Sequence, residues 1–244
     1  MSSLVREDPP ALELKDVSCG YSEGNVLSNI SLRVQKSEII AIVGHNGAGK
    51  STLLKGICGL LPRFCGTLAI DGVPVFELQT HDLLRLGVVY VPQGKGVFDN
   101  LSVRDNLKIG LVRAPSQRER TSRNESVVEM FPLLKGRLKV RAGTLSGGEK
   151  QALALAMAFE LSPRLLLLDE PSLGLSPGVA REVFNRISDT CAKTGSSLII
   201  VEQRVKDVLS IATRAYVIRA GRITYEGPSE TLLLDQEKMK AVFL

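Results

Sequence analysis

Eight consecutive residues at 44–51 have the types and spacing of a loop that binds phosphate. They are Gly44, His45, Asn46, Gly47, Ala48, Gly49, Lys50 and Ser51, which fit the pattern GxxxxGK[ST] in full. Glycines let successive backbone N–H groups face one anion, and a following helix adds the positive end of its dipole. Lys50 would then reach the β- and γ-phosphates, and the Ser51 hydroxyl would bind Mg²⁺. An ordinary glycine-rich turn is the weaker interpretation, because an apolar run at 39–43 precedes the loop and a helical pattern at 51–61 follows it.

Three polar residues sit just past the ends of two other apolar runs. Asp169 and Glu170 come after the run at 165–168, and Gln93 comes after the run at 88–91. Ligands of α/β sheets collect at the carboxyl ends of strands. Asp169 is therefore predicted to hold Mg²⁺ directly or through water, and Glu170 to orient the attacking water as general base. Gln93 is either another ligand for Mg²⁺ and water or simply a turn residue, and the residues alone leave both open.

A second anion site is indicated by the segment Ser146-Gly147-Gly148-Glu149. Ser146 and Glu149 have the spacing of a capping box, which is a sufficient structural reason for both. The two glycines between them leave bare N–H groups at a helix N-terminus, a place that also attracts phosphate. Two phosphate cradles in one chain predict that each completes the other across a dimer.

The elements that must position these groups follow an α/β pattern. Residues at consecutive rather than alternate positions are apolar in each candidate strand, which is typical of strands covered on both faces. Helical spacing recurs between these runs, so a mainly parallel sheet is predicted. The candidate strands are 39–43, 88–91, 165–168, 198–201 and 216–218.

Two further regions differ from this pattern. Residues 12–34 and 219–227 alternate in short strands and turns, which predicts an antiparallel β subdomain beside the core. Residues from about 92 to 163 are predicted to be largely helical, with breaks marked by Pro115, Pro132 and glycines.

Composition excludes several classes of protein. The 244 residues are 44% hydrophobic and 23% charged, too apolar for a disordered chain. The longest apolar run, 152–159, is too short to span a bilayer. The mostly polar residues 1–10 lack the apolar core of a signal peptide and are predicted to be a flexible tail. Four cysteines without a CxxC pair predict free buried thiols in a reducing cytoplasm rather than a zinc site or disulfides.

Positive charge is concentrated at 104–141, where ten Lys and Arg residues face four Asp and Glu residues. Such a segment could contact nucleic acid or an anionic membrane. It contains one aromatic residue, Phe131, and so offers no platform for stacking bases. A solvated helical face is the favoured interpretation, and no nucleic-acid partner is expected.

Together these motifs resemble the ATP-binding subunits of ABC transporters. The resemblance covers nearly the whole chain and includes Tyr21, the loop at 44–51, Gln93, LSGGEKQ at 145–151, LLLLDEP at 165–171 and SLGLSP at 172–177. It implies a P-loop ATPase domain at 11–244, with an antiparallel β subdomain and a helical subdomain inserted at about 92–163. Two such subunits sandwich two ATP molecules, and the helical subdomain docks on membrane partners.

The resemblance also implies a role for each matching position. Tyr21 matches the aromatic residue that stacks on adenine, and residues 44–52, ending at Thr52, match the phosphate loop. Gln93 matches the glutamine that senses the γ-phosphate and links to the membrane subunit. The signature that binds the γ-phosphate of the partner subunit is matched by Ser146, Gly147 and Gly148. Asp169 matches the Mg²⁺ acid, Glu170 the general base, and Lys50 the phosphate-binding lysine.

One position departs from the common pattern of these subunits. After the run at 198–201, most members place a histidine that contacts the γ-phosphate, whereas this chain has Gln203 after Val201 and Glu202. A neutral amide donates a hydrogen bond but cannot become a cation. We therefore expect glutamine at this position to affect the rate of ATP hydrolysis and not the binding of ATP.

Within this family, the sequence Val-Glu-Gln at 201–203 resembles that of one ATP-binding subunit of branched-chain amino acid transporters. That group implies uptake of amino acids, amides or urea from a periplasmic solute-binding protein, through transmembrane permease subunits. It also implies a second ATP-binding subunit, with a heterodimer favoured over a homodimer, at the cytoplasmic face of the membrane. Two alternatives stay open: a soluble ABC ATPase without a transport role, and a slow regulatory nucleotide-binding module.

Overall fold

The computed structural model describes residues 8–75, 80–94, 96–114, 116–235 and 237. Residues 1–7 of the predicted tail, the predicted break at Pro115 and the C-terminal residues 238–244 lie outside these ranges. Within them the chain forms ten strands and eight α-helices, in the order β1 (Leu12–Tyr21), β2 (Gly24–Val34), β3 (Ile39–Val43), α1 (Lys50–Ile57), β4 (Arg63–Ile70), β5 (Val73–Pro74), α2 (Thr80–Arg85), β6 (Val88–Val91), α3 (Val103–Gly110), α4 (Gln117–Met130), α5 (Gly147–Glu160), β7 (Leu165–Asp169), α6 (Pro177–Thr194), β8 (Ser197–Val201), α7 (Val205–Leu209), β9 (Arg214–Arg219), β10 (Arg222–Pro228) and α8 (Ser229–Leu234).

The core sheet has the strand order β10-β9-β3-β8-β7-β6. Adjacent strands from β9 to β6 run parallel to each other. Side chains of β3 alternate between two cores. Ile40 and Ile42 face the core shared with the second sheet, whereas Ala41 and Val43 face the core formed with the helices. Both faces are covered, which explains why the strand is apolar at consecutive positions. The predicted parallel sheet is confirmed.

A second sheet, in the order β2-β1-β4-β5, is antiparallel throughout. The prediction that 219–227 joins this sheet is wrong, because β10 pairs antiparallel with β9 at the edge of the core sheet. Ala220 and Gly221 both have positive φ, 45° and 75°, and form the two-residue connection between the paired Arg219 and Arg222. A tight hairpin turn of this kind returns the chain beside the strand it has just left.

Helix α1 begins at Lys50 and ends at Ile57, shorter than the predicted 51–61. Gly59 has φ 66° and donates its N–H to the Gly56 carbonyl, while the Leu60 N–H reaches the Lys55 carbonyl. This pair of bonds is a Schellman motif, which stops a helix by a left-handed residue.

The region 92–163 contains α3, α4 and α5, with 3₁₀ helices at Leu111–Arg113, Pro132–Arg137 and Ala142–Thr144. None of the helices in the described ranges combines the length and hydropathy that a bilayer span requires. Cys19, Cys58 and Cys191 are free and buried as predicted, but Cys65 on β4 is exposed, so the prediction of a buried thiol is wrong there.

Candidate nucleotide site

The loop at 44–51 connects β3 to α1 and is held between two other strands. Gly44 has φ 153°, and a Cβ at that position would lie 2.2 Å from the Ile218 carbonyl oxygen on β9. Gly49 has φ 107°, and a Cβ there would lie 2.5 Å from Leu27 Cδ2 on β2. A side chain at either position would push the loop off these strands. Glycine is therefore required here by close packing as well as by backbone conformation.

The tip of the loop is exposed to solvent. Gly47 has φ 79°, and a Cβ built on it meets nothing within 4 Å. His45 and Asn46 are exposed, while Ala48 and Thr52 are buried. An exposed loop tip at the start of a helix is accessible to a phosphate group.

Lys50 is 5% exposed, and its ammonium donates to the carbonyl oxygens of Gly44 at 2.8 Å and His45 at 3.1 Å. Burial lowers the pKa of Lys50, an effect that the nearby Glu170 and Asp169 carboxylates oppose. The side chain thus lies folded back onto the loop, and its charge interacts with Asp169 at the end of β7 and with Glu170 just after it. This is where a cation can bind a phosphate held by the loop.

Asp169, the last residue of β7, is held at both carboxylate oxygens. Ser51 Oγ donates to Oδ1 at 2.8 Å, and the Tyr90 hydroxyl donates to Oδ2 at 3.1 Å. Burial, followed by the charge of Asp169, raises the pKa of the Tyr90 phenol, which therefore stays protonated as a donor. The sequence indicated Ser51 and Asp169 but not Tyr90. A tyrosine inside a mostly apolar strand was the available signal, since its hydroxyl needs a polar partner when buried.

Glu170 receives hydrogen bonds from two amides. Gln93 Nε2 donates to Oε2 at 2.7 Å, and Gln203 Nε2 donates to Oε1 at 2.8 Å and to Oε2 at 2.9 Å. The residue is 8% exposed and has φ 48°, a left-handed conformation that is unusual outside glycine. The structure therefore brings together the predicted base and both predicted glutamines at the carboxyl edge of the sheet.

Tyr21 lies at the end of β1 and is 41% exposed. Lys55 Nζ on α1 donates to its hydroxyl oxygen at 3.5 Å. An exposed ring beside the helix that follows the phosphate loop is available for stacking on a flat ligand.

Ser146 forms the capping box predicted at the start of α5. Its Oγ accepts the Glu149 N–H at 3.3 Å, and Glu149 Oε2 accepts the Ser146 N–H at 2.9 Å. The Ser146 N–H and the Ser146 hydroxyl both donate to the Glu149 carboxylate and lower its pKa. Among the hydrogen bonds of the described residues, none joins Ser146, Gly147 or Gly148 to the loop at 44–52. Among the described residues, the segment predicted to be a second anion site is therefore not hydrogen-bonded to the loop.

The side chains that converge near the loop have the chemistry of a metal–nucleotide site. A hydroxyl and a carboxylate, Ser51 and Asp169, are hard oxygen ligands of the kind Mg²⁺ requires. Lys50 and the loop supply positive potential for phosphate, and Glu170 supplies a carboxylate next to them. The residues present therefore fit both ATP and Mg²⁺.

Comparisons with known proteins agree with this chemistry. Residues 27–173 match the sequence profile of the ABC transporter family. The chain is 38% identical to the high-affinity branched-chain amino acid transport ATP-binding protein BraG of Pseudomonas aeruginosa, over 91% of this chain and 94% of that protein. It is also 38% identical to the probable branched-chain amino acid transport ATP-binding protein LivF of Archaeoglobus fulgidus, over 92% and 94%. The lipopolysaccharide export system ATP-binding protein LptB of Escherichia coli K12 is 33% identical, over 96% of each chain.

Solved structures give the same result for the fold. A nucleotide-free ATP-binding cassette from an ABC transporter superposes with a TM-score of 0.82 at 26% identity, over 96% of this chain and 94% of that one. An ATP-binding cassette in its ADP conformation superposes with a TM-score of 0.83 at 25% identity, over 95% and 97%. With its phosphate loop, its paired acids and these relatives, the chain belongs to the ABC transporter family of ATPases, whose members bind and hydrolyse ATP.

Proposed function

We propose that this chain is the ATP-hydrolysing subunit of an ABC importer for branched-chain amino acids, or for other amino acids, amides or urea. The observation that carries the proposal is the cluster at the carboxyl edge of the sheet. There the Glu170 carboxylate accepts hydrogen bonds from two amides, one residue after the Asp169 that pairs with Ser51. Identity of 38% to two branched-chain amino acid transport subunits supports the solute class.

In the proposed reaction the loop at 44–52 holds the phosphates of ATP while Tyr21 stacks on the adenine. Lys50 exchanges its bonds to the Gly44 and His45 carbonyls for phosphate oxygens, because those oxygens carry a negative charge that attracts the ammonium and the carbonyl oxygens do not.

Ser51 and Asp169 hold Mg²⁺, with the Gln93 amide oxygen as a further ligand. The ion neutralises charge on the phosphate oxygens when bound. Ser51 Oγ is hydrogen-bonded to Asp169 at 2.8 Å, so the two groups that would hold the ion lie next to each other.

Glu170 accepts the proton of the water that attacks the γ-phosphorus, and the products are ADP and phosphate. The amides of Gln93 and Gln203 occupy both oxygens of this carboxylate. Each carboxylate oxygen has two lone pairs, so Oε1, which accepts a single hydrogen bond, can still accept a proton from water. A γ-phosphate that draws the Gln203 N–H to itself would remove a donor from the carboxylate and so make Glu170 a stronger base when ATP is present.

The signature at Ser146, Gly147 and Gly148 completes the phosphate loop of a second ATP-binding subunit. Ser146 and Gly147 are exposed at the start of α5, and no hydrogen bond among the described residues connects the signature to the loop of its own chain. We infer a dimer of ATP-binding subunits, with a heterodimer favoured over a homodimer.

The helical region 92–163 is the proposed docking domain for transmembrane permease subunits. Gln93 marks its start and contacts Glu170, so a movement of the docked permease is transmitted to the base. The chain would be peripheral at the cytoplasmic face of the membrane, and a periplasmic or extracellular solute-binding protein would act through the permease.

The assignment of the base is tested with Glu170→Gln. This change keeps the shape of the side chain but removes its basicity, so phosphate release should fall at least about a hundredfold. In this variant, ATP should also hold the chain and its second ATP-binding subunit together as a dimer. Size-exclusion chromatography of the two full-length subunits measures the dimer. Glu230→Gln on the exposed surface of α8 is the matched control. Unchanged phosphate release in Glu170→Gln would refute the assignment.

The solute class is tested separately in proteoliposomes that contain the chain with its permease subunits and solute-binding protein. ATP-dependent uptake of labelled leucine supports the proposal. The 33% identity to LptB favours lipopolysaccharide export as the second candidate. Extraction of lipopolysaccharide without leucine uptake would favour that candidate instead.

A further inference from the structure

Glu202 is a buried glutamate directly before Gln203. Its side chain contacts the segment that carries Glu170. Glu202 follows β8 directly and is 2% exposed. Its Oε1 accepts the backbone N–H of Ser172 at 2.8 Å, and its Oε2 accepts the backbone N–H groups of Gln203 at 3.0 Å and Arg204 at 3.4 Å. A single side chain therefore binds the backbone of both segments.

The hydrogen bonds of Glu202 require a carboxylate. All three partners are donors, and an ionised carboxylate accepts at both oxygens, whereas an amide accepts at only one. Burial raises the pKa of Glu202, while its hydrogen bonds to N–H groups oppose that effect. Glu202 forms no salt bridge in the described part of the chain. A charge at this depth is costly, and backbone N–H groups are what stabilise it.

The segment that begins at Glu170 forms a tight turn. The Glu170 carbonyl accepts the Leu173 N–H at 3.1 Å, which forms a turn around Ser172. The buried carboxylate binds this turn at Ser172, and Arg204 Nη2 binds the Leu175 carbonyl at 2.7 Å further along. The turn is thus attached to the segment at and after β8 at three places, because the Glu170 N–H also donates to the Val201 carbonyl at 2.9 Å, and Glu202 is the attachment made by a side-chain carboxylate.

We propose that Glu202 is a positioning residue for ATP hydrolysis, which fixes Glu170 and Gln203 relative to each other through the backbone of both segments. The inference rests on the proposed function, in which Glu170 is the general base. Gln203 Nε2 reaches Glu170 at 2.8 Å only while the two segments keep this spacing. A displacement of about 1 Å at a reacting group costs up to roughly a hundredfold in rate.

The test is Glu202→Gln in the full chain, because this variant keeps the shape of the side chain and loses one acceptor oxygen. We expect kcat for ATP to fall about tenfold, with KM changed less than twofold. Hydrogen exchange of the Ser172 amide, followed by mass spectrometry without nucleotide, should become at least about tenfold faster. Glu160→Gln is the matched control, since it also changes a buried glutamate and should leave both quantities unaltered. Should Glu202→Gln not fold, Glu202→Asp is measured in the same way.

Several outcomes would overturn the proposal. An unchanged kcat would exclude a positioning role, and so would unchanged exchange at Ser172. A rise in KM at constant kcat would assign Glu202 to ATP binding instead. Failure of the proposed function is distinguishable from failure of this inference. If the proposed function fails, Glu170→Gln keeps full ATPase activity. Failure of this inference appears as full activity of Glu202→Gln beside an inactive Glu170→Gln.

Discussion

Glu160, near the end of α5, makes the stability of this protein dependent on pH. The residue is fully buried, and its Oε1 accepts a hydrogen bond from Asn124 Nδ2 on α4 at 2.9 Å. Its Oε2 has no hydrogen-bond partner among the described residues. Burial raises the pKa of Glu160 from 4.5 to about 7, although Asn124 and the charge of Arg123 act in the opposite direction.

The sign of the effect follows from proton linkage. Between about pH 4.5 and 7 the folded chain holds a proton on Glu160 that the unfolded chain releases. Stability is therefore greatest on the acid side of this window and falls as the pH rises through it. The difference between the two pKa values corresponds to about 3 kcal/mol at most. Because the unfolded-state pKa lies close to pH 5, only part of this difference is lost between pH 5 and pH 8, which gives about 2 kcal/mol.

The perturbation is Glu160→Gln, which stays neutral at every pH. We expect the free energy of unfolding of the wild type to fall by about 2 kcal/mol between pH 5 and pH 8 relative to the variant. Urea denaturation at half-unit pH steps measures the free energy of unfolding of both proteins. The slope of this free energy against pH is then compared between the wild type and the variant. Glu182→Gln on the exposed side of α6 is the control and should keep the wild-type slope. Parallel pH profiles for wild type and Glu160→Gln would refute the reasoning.

Three further predictions concern the site. Lys50→Ala should abolish nucleotide binding in a fluorescent-ATP titration, because the loop loses its cation, and retained affinity would exclude the assigned role. Tyr90→Phe removes a hydrogen bond that holds Asp169 Oδ2 in place, so Mg²⁺ titrated into the ADP-bound protein should bind more weakly, by up to about tenfold, because the metal must then order the carboxylate; equal affinity would show that Tyr90 does not orient this ligand. Gln203→His should leave kcat within about threefold if the amide serves in hydrolysis, whereas a large gain would favour the slow regulatory module.

The sequence by itself determined the features that depend on neighbours along the chain. The phosphate loop is set by glycine spacing between a strand and a helix, and the capping box by Ser146 and Glu149 three residues apart. Both patterns satisfy backbone groups within a few residues of themselves, so no distant contact is needed to specify them. Consecutive apolar positions likewise indicated strands buried on both faces.

The tertiary structure alone decided which distant groups meet. Tyr90 contacts Asp169 because β6 and β7 are parallel neighbours, and Glu202 contacts Ser172 because the segments after β7 and β8 leave the same edge of the sheet. β10 lies in the core sheet because of a hairpin turn, although its alternating pattern also suits the other sheet. Strand neighbours are selected by packing of the whole domain, and a local pattern does not encode them.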